Sequence, residues 1–333
     1  MRRHRSPLLV AGILAVVACG DSSSPSALDP KGDEADRLAG LWWLLFGLAT
    51  AVFLVVTAFI VVGLVRGRGT SEGKGSRIGD GTFIGVGGLI VPVAVLAVVA
   101  VATVGTTKEL RRPAPDPVRI DVVGKRWWWD VRYPGTAVVT ANEIHVPVGR
   151  PVELALASDN VIHSFWVPQL AGKVDMIPGQ RNLLRFTVTE AGTYRGQCAE
   201  YCGLQHGRMA FLVIADQPAD FDRWMAARRS PPPPPTGLAA AGRDVLETTS
   251  CAGCHRVQGT TAQGVIGPDL TDFGSRSTIG ALTVPNDRGN LGGWIANAQS
   301  IKTGSLMPPI SVDPDELQAL LAYLESLRPA AAP

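Results

Sequence analysis

The segment Cys198-Ala199-Glu200-Tyr201-Cys202-Gly203-Leu204-Gln205-His206-Gly207-Arg208-Met209 carries two thiols, an imidazole and a thioether in quick succession. Thiolate and thioether donors select soft metals such as copper, and imidazole suits copper as well. A tight loop between two strands would aim all of them at one spot. A further nitrogen donor must come from elsewhere, and His163, in Ser158-Asp159-Asn160-Val161-Ile162-His163-Ser164-Phe165-Trp166, is the candidate. Three chemistries compete. A zinc site of two cysteines and two histidines leaves the weak donor Met209 surplus. A mononuclear blue-copper centre uses one cysteine and gives the second no role. Two copper ions sharing two thiolates use the whole set.

A second cluster is Cys251-Ala252-Gly253-Cys254-His255, the spacing of covalent haem attachment, in which the thiols add to the vinyl groups and the histidine binds iron. C-x-x-C also serves zinc and redox sites, so context matters. A helix-like stretch, Leu238–Thr249, precedes the motif. Met307 follows in Gly304-Ser305-Leu306-Met307-Pro308-Pro309, whose prolines hold an extended loop able to aim a thioether at iron. Histidine–methionine ligation is an electron-transfer arrangement. His145, Met176 and Met225 lack such surroundings and read as structural.

These clusters need elements to hold them. The chain has 333 residues, 18% charged and 46% apolar, with a net charge of +2. No basic stripe exists, which argues against a nucleic-acid partner. The apolar residues are unevenly spread, which excludes a soluble cytoplasmic single domain. Residues 1–18 form a secretory leader, basic Met1–Arg5 followed by apolar Leu8–Ala18. Val16-Val17-Ala18-Cys19 resembles a bacterial lipobox with Cys19 as the lipidated residue, and 19–37 reads as a tether. Residues 38–107 form a transmembrane hairpin. Its uncharged runs 41–65 and 82–105 each exceed the ~20 residues that cross a bilayer as a helix. Arg66, Arg68, Lys74 and Arg77 place the connecting loop in the cytoplasm and both flanks outside. Trp42 and Trp43 fit an interfacial belt.

Residues 108–229 form one domain in which 117–215 alternate as short strands, with Val118, Ile120 and Val122, then Val152, Leu154 and Leu156, separated by Gly and Pro turns. That pattern predicts a sandwich or Greek-key barrel, closed by a short helix from Pro218. Pro231–Pro235 mark a linker over 230–236, a semi-rigid spacer of roughly 15 Å. Residues 237–333 form a compact unit. Its last helix is marked by Asp313 at the N-cap, Pro314, Glu316 and the stripe Leu317, Leu320, Leu321, Leu324.

The copper-type motif with His163 and the hairpin resembles subunit II of haem-copper cytochrome c oxidases over residues 38–215. The resemblance implies a two-helix transmembrane hairpin, an all-β cupredoxin-like Greek-key barrel and a dinuclear CuA centre. Cys198 and Cys202 would bridge the coppers, and His163 and His206 would bind one each. Met209 and the Glu200 carbonyl would be weak ligands, with the Glu200 carboxylate at a magnesium site shared with subunit I. Gly124-Lys125-Arg126-Trp127-Trp128-Trp129-Asp130 resembles the family's tryptophan-rich strand, which makes Trp127 the port for incoming electrons. Alternating tryptophans that merely pack two strand faces are the other reading. Many relatives carry a glutamate seven residues before the proline of the second span. Here that position is Gly85, with Asp80 the nearest acid, so proton delivery through this subunit does not follow from the resemblance.

Residues 237–328 resemble an all-α class I cytochrome c domain, and Gly267-Pro268-Asp269-Leu270 matches the loop whose proline carbonyl orients the haem histidine. Together the modules resemble subunit II of caa3-type oxidases. That implies electrons passing from an external donor, a cytochrome c or the bc complex, to haem c on His255 and Met307. From there they pass to CuA and to haem a and CuB of subunit I, with subunit III alongside and proton pumping coupled to oxygen reduction. The bacterial plasma membrane is the expected location, with the lipid-anchored end and both domains outside. A membrane-tethered haem and copper carrier, a copper-binding assembly protein and the electron-accepting subunit of a CuA-bearing nitric oxide reductase are the alternatives.

Overall fold

The computed structural model describes residues 25–67 and 79–329. The leader, Cys19, the loop charges Arg68, Lys74 and Arg77, and the side chain of Asp80 lie outside the described residues. Helix α1 spans Asp33–Gly67, and α2 (Asp80–Gly85) runs through a π-helical turn at Val86–Ile90 into α3 (Val91–Leu110). Among the described residues two helices are long and apolar enough to cross a membrane, and their apolar side chains, among them Phe53, Phe59, Ile84 and Val101, are exposed all round. Helices apolar on every face fit a lipid surrounding, where only internally bonded backbone is tolerated. Arg37 meets Glu109 at 3.3 Å, joining the start of α1 to the end of α3.

The expected tether differs from what the structure shows in its described part. Lys31 N–H donates to Gln169 O at 2.7 Å, Thr189 N–H donates to Lys31 O at 2.9 Å, and Gly32 bridges to Val188. Asp33 accepts from Thr187 N–H at 2.6 Å, and α1 begins there, well before the expected residue 41. The physical reason is a sheet edge with unpaired groups lying beside a polar strand that can satisfy them. Asp33, Glu34 and Asp36 then suit the positive end of the helix.

Ten strands follow: β1 Val118–Lys125, β2 Trp128–Arg132, β3 Val139–Ala141, β4 Glu143–Pro147, β5 Pro151–Ser158, β6 His163–Trp166, β7 Val174–Met176, β8 Asn182–Thr187, β9 Gly192–Cys198 and β10 Ala210–Asp216. They form two sheets, ordered β3-β2-β1-β5-β8 and β4-β10-β9-β6-β7. β1 pairs with β5, and β10 with β4, in parallel, so the chain crosses between sheets as a sandwich requires. The buried core holds Ile120, Trp129, Leu154, Phe165 and Phe211. Phe165 stacks on Phe211 at 4.4 Å and Trp129 meets Phe211 edge-on at 4.8 Å, a rigid floor beneath one end of the sandwich. Met176 is fully buried, and His145 pairs with Asp216 at 2.7 Å while stacking on Trp224, so both are packing residues.

Helix α4 (Pro218–Arg228) closes the sandwich. The C-terminal unit comprises α5 (Leu238–Thr248), α6 (Cys251–Cys254), the short strands β11 (Thr278–Ile279) and β12 (Val284–Pro285), α7 (Arg288–Ile301) and α8 (Pro314–Ser326). α8 carries the full capping box from Asp313 and Glu316 and buries Leu320, Leu321 and Leu324. The proline run does not hold the two domains apart. Glu143 accepts from Ser277 N–H and Oγ–H at 3.0 Å, and Gln258 Nε2 donates to Arg229 O at 3.2 Å. At the centre of this contact Asp272 accepts from Thr140 Oγ1 at 3.0 Å, Arg276 at 2.5 Å and Arg228.

Burial alone would raise the Asp272 carboxyl, but the Arg276 and Arg228 guanidiniums outweigh it and hold it below the usual range. Its contribution is therefore complete above the ordinary carboxylate pKa of ~3.9 and is lost as pH falls through the lower folded value. The domain contact should survive at pH 5 and weaken only below about pH 4, read by thermal unfolding across pH. Asp272→Ala strands two guanidiniums in the interface and should cost about 3–5 kcal/mol in the same assay.

Candidate copper and haem sites

Cys198 ends β9 and Met209 precedes β10, and the segment between them folds back on itself. Cys198 N–H donates to Met209 O at 2.9 Å, His206 N–H to Gly203 O at 3.0 Å and Arg208 N–H to Gln205 O at 2.9 Å. The loop is anchored below by the β9–β10 ladder and sideways by Ala199 N–H donating to Ser164 O at 3.0 Å, next to His163 on β6. The donor atoms converge in consequence. Cys198 Sγ lies 3.7 Å from Cys202 Sγ, 3.8 Å from His163 Nδ1 and 3.2 Å from Glu200 O. Cys202 Sγ lies 3.6 Å from His206 Nδ1 and 3.8 Å from Met209 Sδ. The coordinating atoms of His163, Cys198 and Cys202 fall within 4.8 Å of one another in buried surroundings.

This symmetry bears on the choice left open by the sequence. Each sulfur has its own imidazole and its own weak donor, Glu200 O on one side and Met209 on the other. Two soft ions bridged by two thiolates use every atom of that set. The two thiols also titrate as a pair. The bond from Cys202 holds Cys198 well below the usual thiol range, with His163 assisting, while Cys202 is pushed up. His163 Nε2 faces Asn160 Oδ1 at 3.3 Å, so a proton there leaves the Nδ1 lone pair free for a metal. Asn160 was not legible as a site residue in the sequence.

Trp127 lies beside this loop and is 9% exposed. Its indole Nε1–H donates to Cys202 O at 3.0 Å, a direct bond to the backbone of one of the two cysteines. Trp129 is fully buried in the same core, its ring 6.2 Å from that of His163, and Trp128 lies under Lys125 at 5.5 Å. Trp129 packs against His163 and the core rings, and Trp127 is the tryptophan hydrogen-bonded to the backbone of the cysteine loop.

In the C-terminal unit α6 presents Cys251 and Cys254, both free and half-buried. His255 Nδ1 lies 2.8 Å from Pro268 O, the contact the resemblance implies, which fixes the ring and leaves Nε2 free. Burial pushes the His255 imidazole down and favours its neutral, ligating form. Gly267 permits this arrangement, because a Cβ there would stand 2.6 Å from His255 Cε1. The loop with Met307 is held by Gln299, whose Nε2 donates to Met307 O at 2.9 Å and to Ser305 O, while its Oε1 accepts from Gly304 N–H at 2.8 Å. Gln299 and Lys302, a buried lysine between the two domains, carried no sequence signal, since both residue types are ordinarily exposed on helices.

Residues 135–216 match the family described as Cytochrome C oxidase subunit II, periplasmic domain, and residues 239–328 match the Cytochrome c family. The chain is similar to cytochrome c oxidase subunit 2 of Alkalihalophilus pseudofirmus, 34% identical over 325 residues, covering 95% of this chain and 94% of that one. Cytochrome c oxidase subunit 2 of Bacillus subtilis is 28% identical over 348 residues, covering 97% and 95%. The crystal structure of the periplasmic domain of subunit II of cytochrome oxidase from Bradyrhizobium japonicum is 28% identical with a TM-score of 0.34, covering 35% of this chain and 95% of that one.

Gly267→Ala should displace the His255 ring from Pro268. The expected result is loss of the low-spin haem absorption with the haem still covalently attached, read by visible spectroscopy and a denaturing gel stained for haem.

Proposed function

This chain belongs to the cytochrome c oxidase subunit II family, with a cytochrome c domain at its C-terminal end; starting there, we propose that it accepts electrons on a covalent haem c and passes them through a dinuclear CuA centre to subunit I. Membership makes it an electron-transfer subunit of a haem-copper oxidase, partnered by subunit I, binding copper and haem, and anchored in the membrane with its copper domain outside. The convergence of two sulfurs, two imidazoles and two weak donors within one closed loop and its neighbour carries the copper reading.

The bound metals would supply one-electron redox chemistry; the chain supplies everything that makes it fast. Cys198 and Cys202 would hold both coppers, His163 and His206 one each, with Met209 and Glu200 O as the weak ligands. The stiff aromatic floor and the closed loop keep these donors in place when charge moves, which lowers the reorganisation each transfer requires. Trp127 would couple the haem side to Cys202 through its indole bond. Cys251 and Cys254 would carry the haem, His255 and Met307 would bind its iron, and the Pro268 carbonyl orients His255. The Glu200 carboxylate is the proposed magnesium ligand towards subunit I. Oxygen reduction at haem a and CuB, with proton pumping, belongs to subunit I, and subunit III and an external cytochrome c or bc complex complete the proposed assembly. Lipid on Cys19 and a cytoplasmic loop between the spans complete the proposed topology.

Purification from membranes with copper, haem and oxygen-consumption assays on one sample tests this reading. The expected result is a copper pair and a covalent haem on this chain, with a large haem-bearing subunit and oxygen uptake in the same fractions. Cys198→Ser should abolish the thiolate-to-copper absorption, and Cys251→Ser with Cys254→Ser should remove haem from the denatured chain. Copper and haem on a chain that purifies alone would instead favour a tethered carrier.

A further inference from the structure

Lys302, just past α7, is 3% exposed, yet no carboxylate pairs with it among the described residues. Its Nζ donates instead to three backbone carbonyls: Trp127 O at 2.8 Å, Arg208 O at 2.7 Å and Gly280 O at 2.7 Å. Three acceptors match the three hydrogens of an ammonium and exceed those of a neutral amine, although burial pulls its pKa down to about 7.

Two of those carbonyls belong to the copper domain. Trp127 is the tryptophan bonded to Cys202, and Arg208 immediately precedes Met209. The third, Gly280, opens a run of three left-handed residues, with φ of 65° at Gly280, 60° at Ala281 and 62° at Leu282. Ala and Leu rarely adopt that conformation, and it persists only where surroundings impose it. Here Ala210 N–H of the copper domain donates to Ala281 O at 3.4 Å.

The residues flanking Lys302 are gripped by the same loop. Gln205 Nε2 donates to Thr303 O at 2.5 Å and Arg208 donates to Ile301 O at 2.7 Å. Gly304 has φ of 82°, and a Cβ there would stand 3.1 Å from Leu204 Cδ2 and 3.6 Å from the Trp127 ring. Met307 lies three residues further along this clamped segment.

We propose that Lys302 is the positioning residue for internal electron transfer: its ammonium clamps the Met307-bearing segment onto the carbonyls of Trp127 and Arg208 and thereby sets the separation of haem and copper. The proposal rests on the haem and copper reading above. Transfer between the two centres is then a step within one docked unit, independent of any search by a domain on a leash.

The test uses the intact oxidase with Lys302→Met, which keeps the buried stem and leaves three carbonyls without a donor. After light-triggered reduction of haem c, haem reoxidation and copper reduction are followed together at two solvent viscosities. The parent rate should not depend on viscosity. In the variant it should fall at least about tenfold and become viscosity-dependent, while resting haem and copper spectra stay unchanged. Amide hydrogen exchange should rise in peptides covering 278–286 and 299–307. A variant rate within twofold of the parent, with unchanged exchange, overturns the proposal. Absence of the copper band in the parent defeats the underlying reading instead. If Lys302→Met does not assemble, Arg208→Ala, which removes one exposed bond to the same segment, should slow transfer several-fold. An unaltered rate there also overturns the proposal.

Discussion

The closure of one loop governs this molecule. Cys198 N–H bonded to Met209 O brings together the two ends of a segment whose middle would otherwise point its donors into solvent. Once closed over the Phe165–Phe211–Trp129 floor, it has two sulfurs 3.7 Å apart and an imidazole beside each. Sulfurs that close in a buried place repel as thiolates, and sharing a proton is one solution to that conflict. Sharing a pair of cations is the solution the rest of the donor set fits. The requirement to keep this arrangement rigid explains why so much aromatic bulk sits directly beneath it.

The same loop turns its outer surface to the haem domain. Its Gln205 and Arg208, together with the neighbouring Trp127 carbonyl, meet the segment from Ile301 to Gly304, while Asp272 and Glu143 tie the domains together at a second place. Both regions bury charge, which costs free energy unless every partner is supplied. A weak, exchanging contact would not carry such groups. The fused domain is thus a fixed part of the copper domain's surface, and the indole of Trp127 is enclosed where the two meet.

The sequence was most readable where chemistry forces residue type. Thiols, imidazoles and thioethers at short spacing announced both clusters, and the Asp313–Glu316 capping box placed the last helix because its hydrogen bonds are local. Alternating apolar residues announced the sandwich, and uncharged runs the two spans. What stayed hidden depends on contacts between distant segments. Asn160 behind His163, Gln299 behind Met307 and Lys302 between domains are polar residues of kinds found on any surface, and only the fold brings each to its partner, burying Lys302 as it does so. The stretch before α1 looked like a free tether because its polar residues gave no sign of the sheet edge they pair with. The prolines looked like a spacer because stiffness is local, whereas docking is decided by residues far along the chain.

Electron paramagnetic resonance of the oxidised full-length chain, prepared from membranes with its copper, tests the central claim most directly. One unpaired electron spread equally over two copper nuclei through Cys198 and Cys202 gives a hyperfine pattern from both nuclei, and that is the pattern expected. The pattern of a single copper nucleus, or a silent spectrum from a zinc-loaded loop, would contradict it.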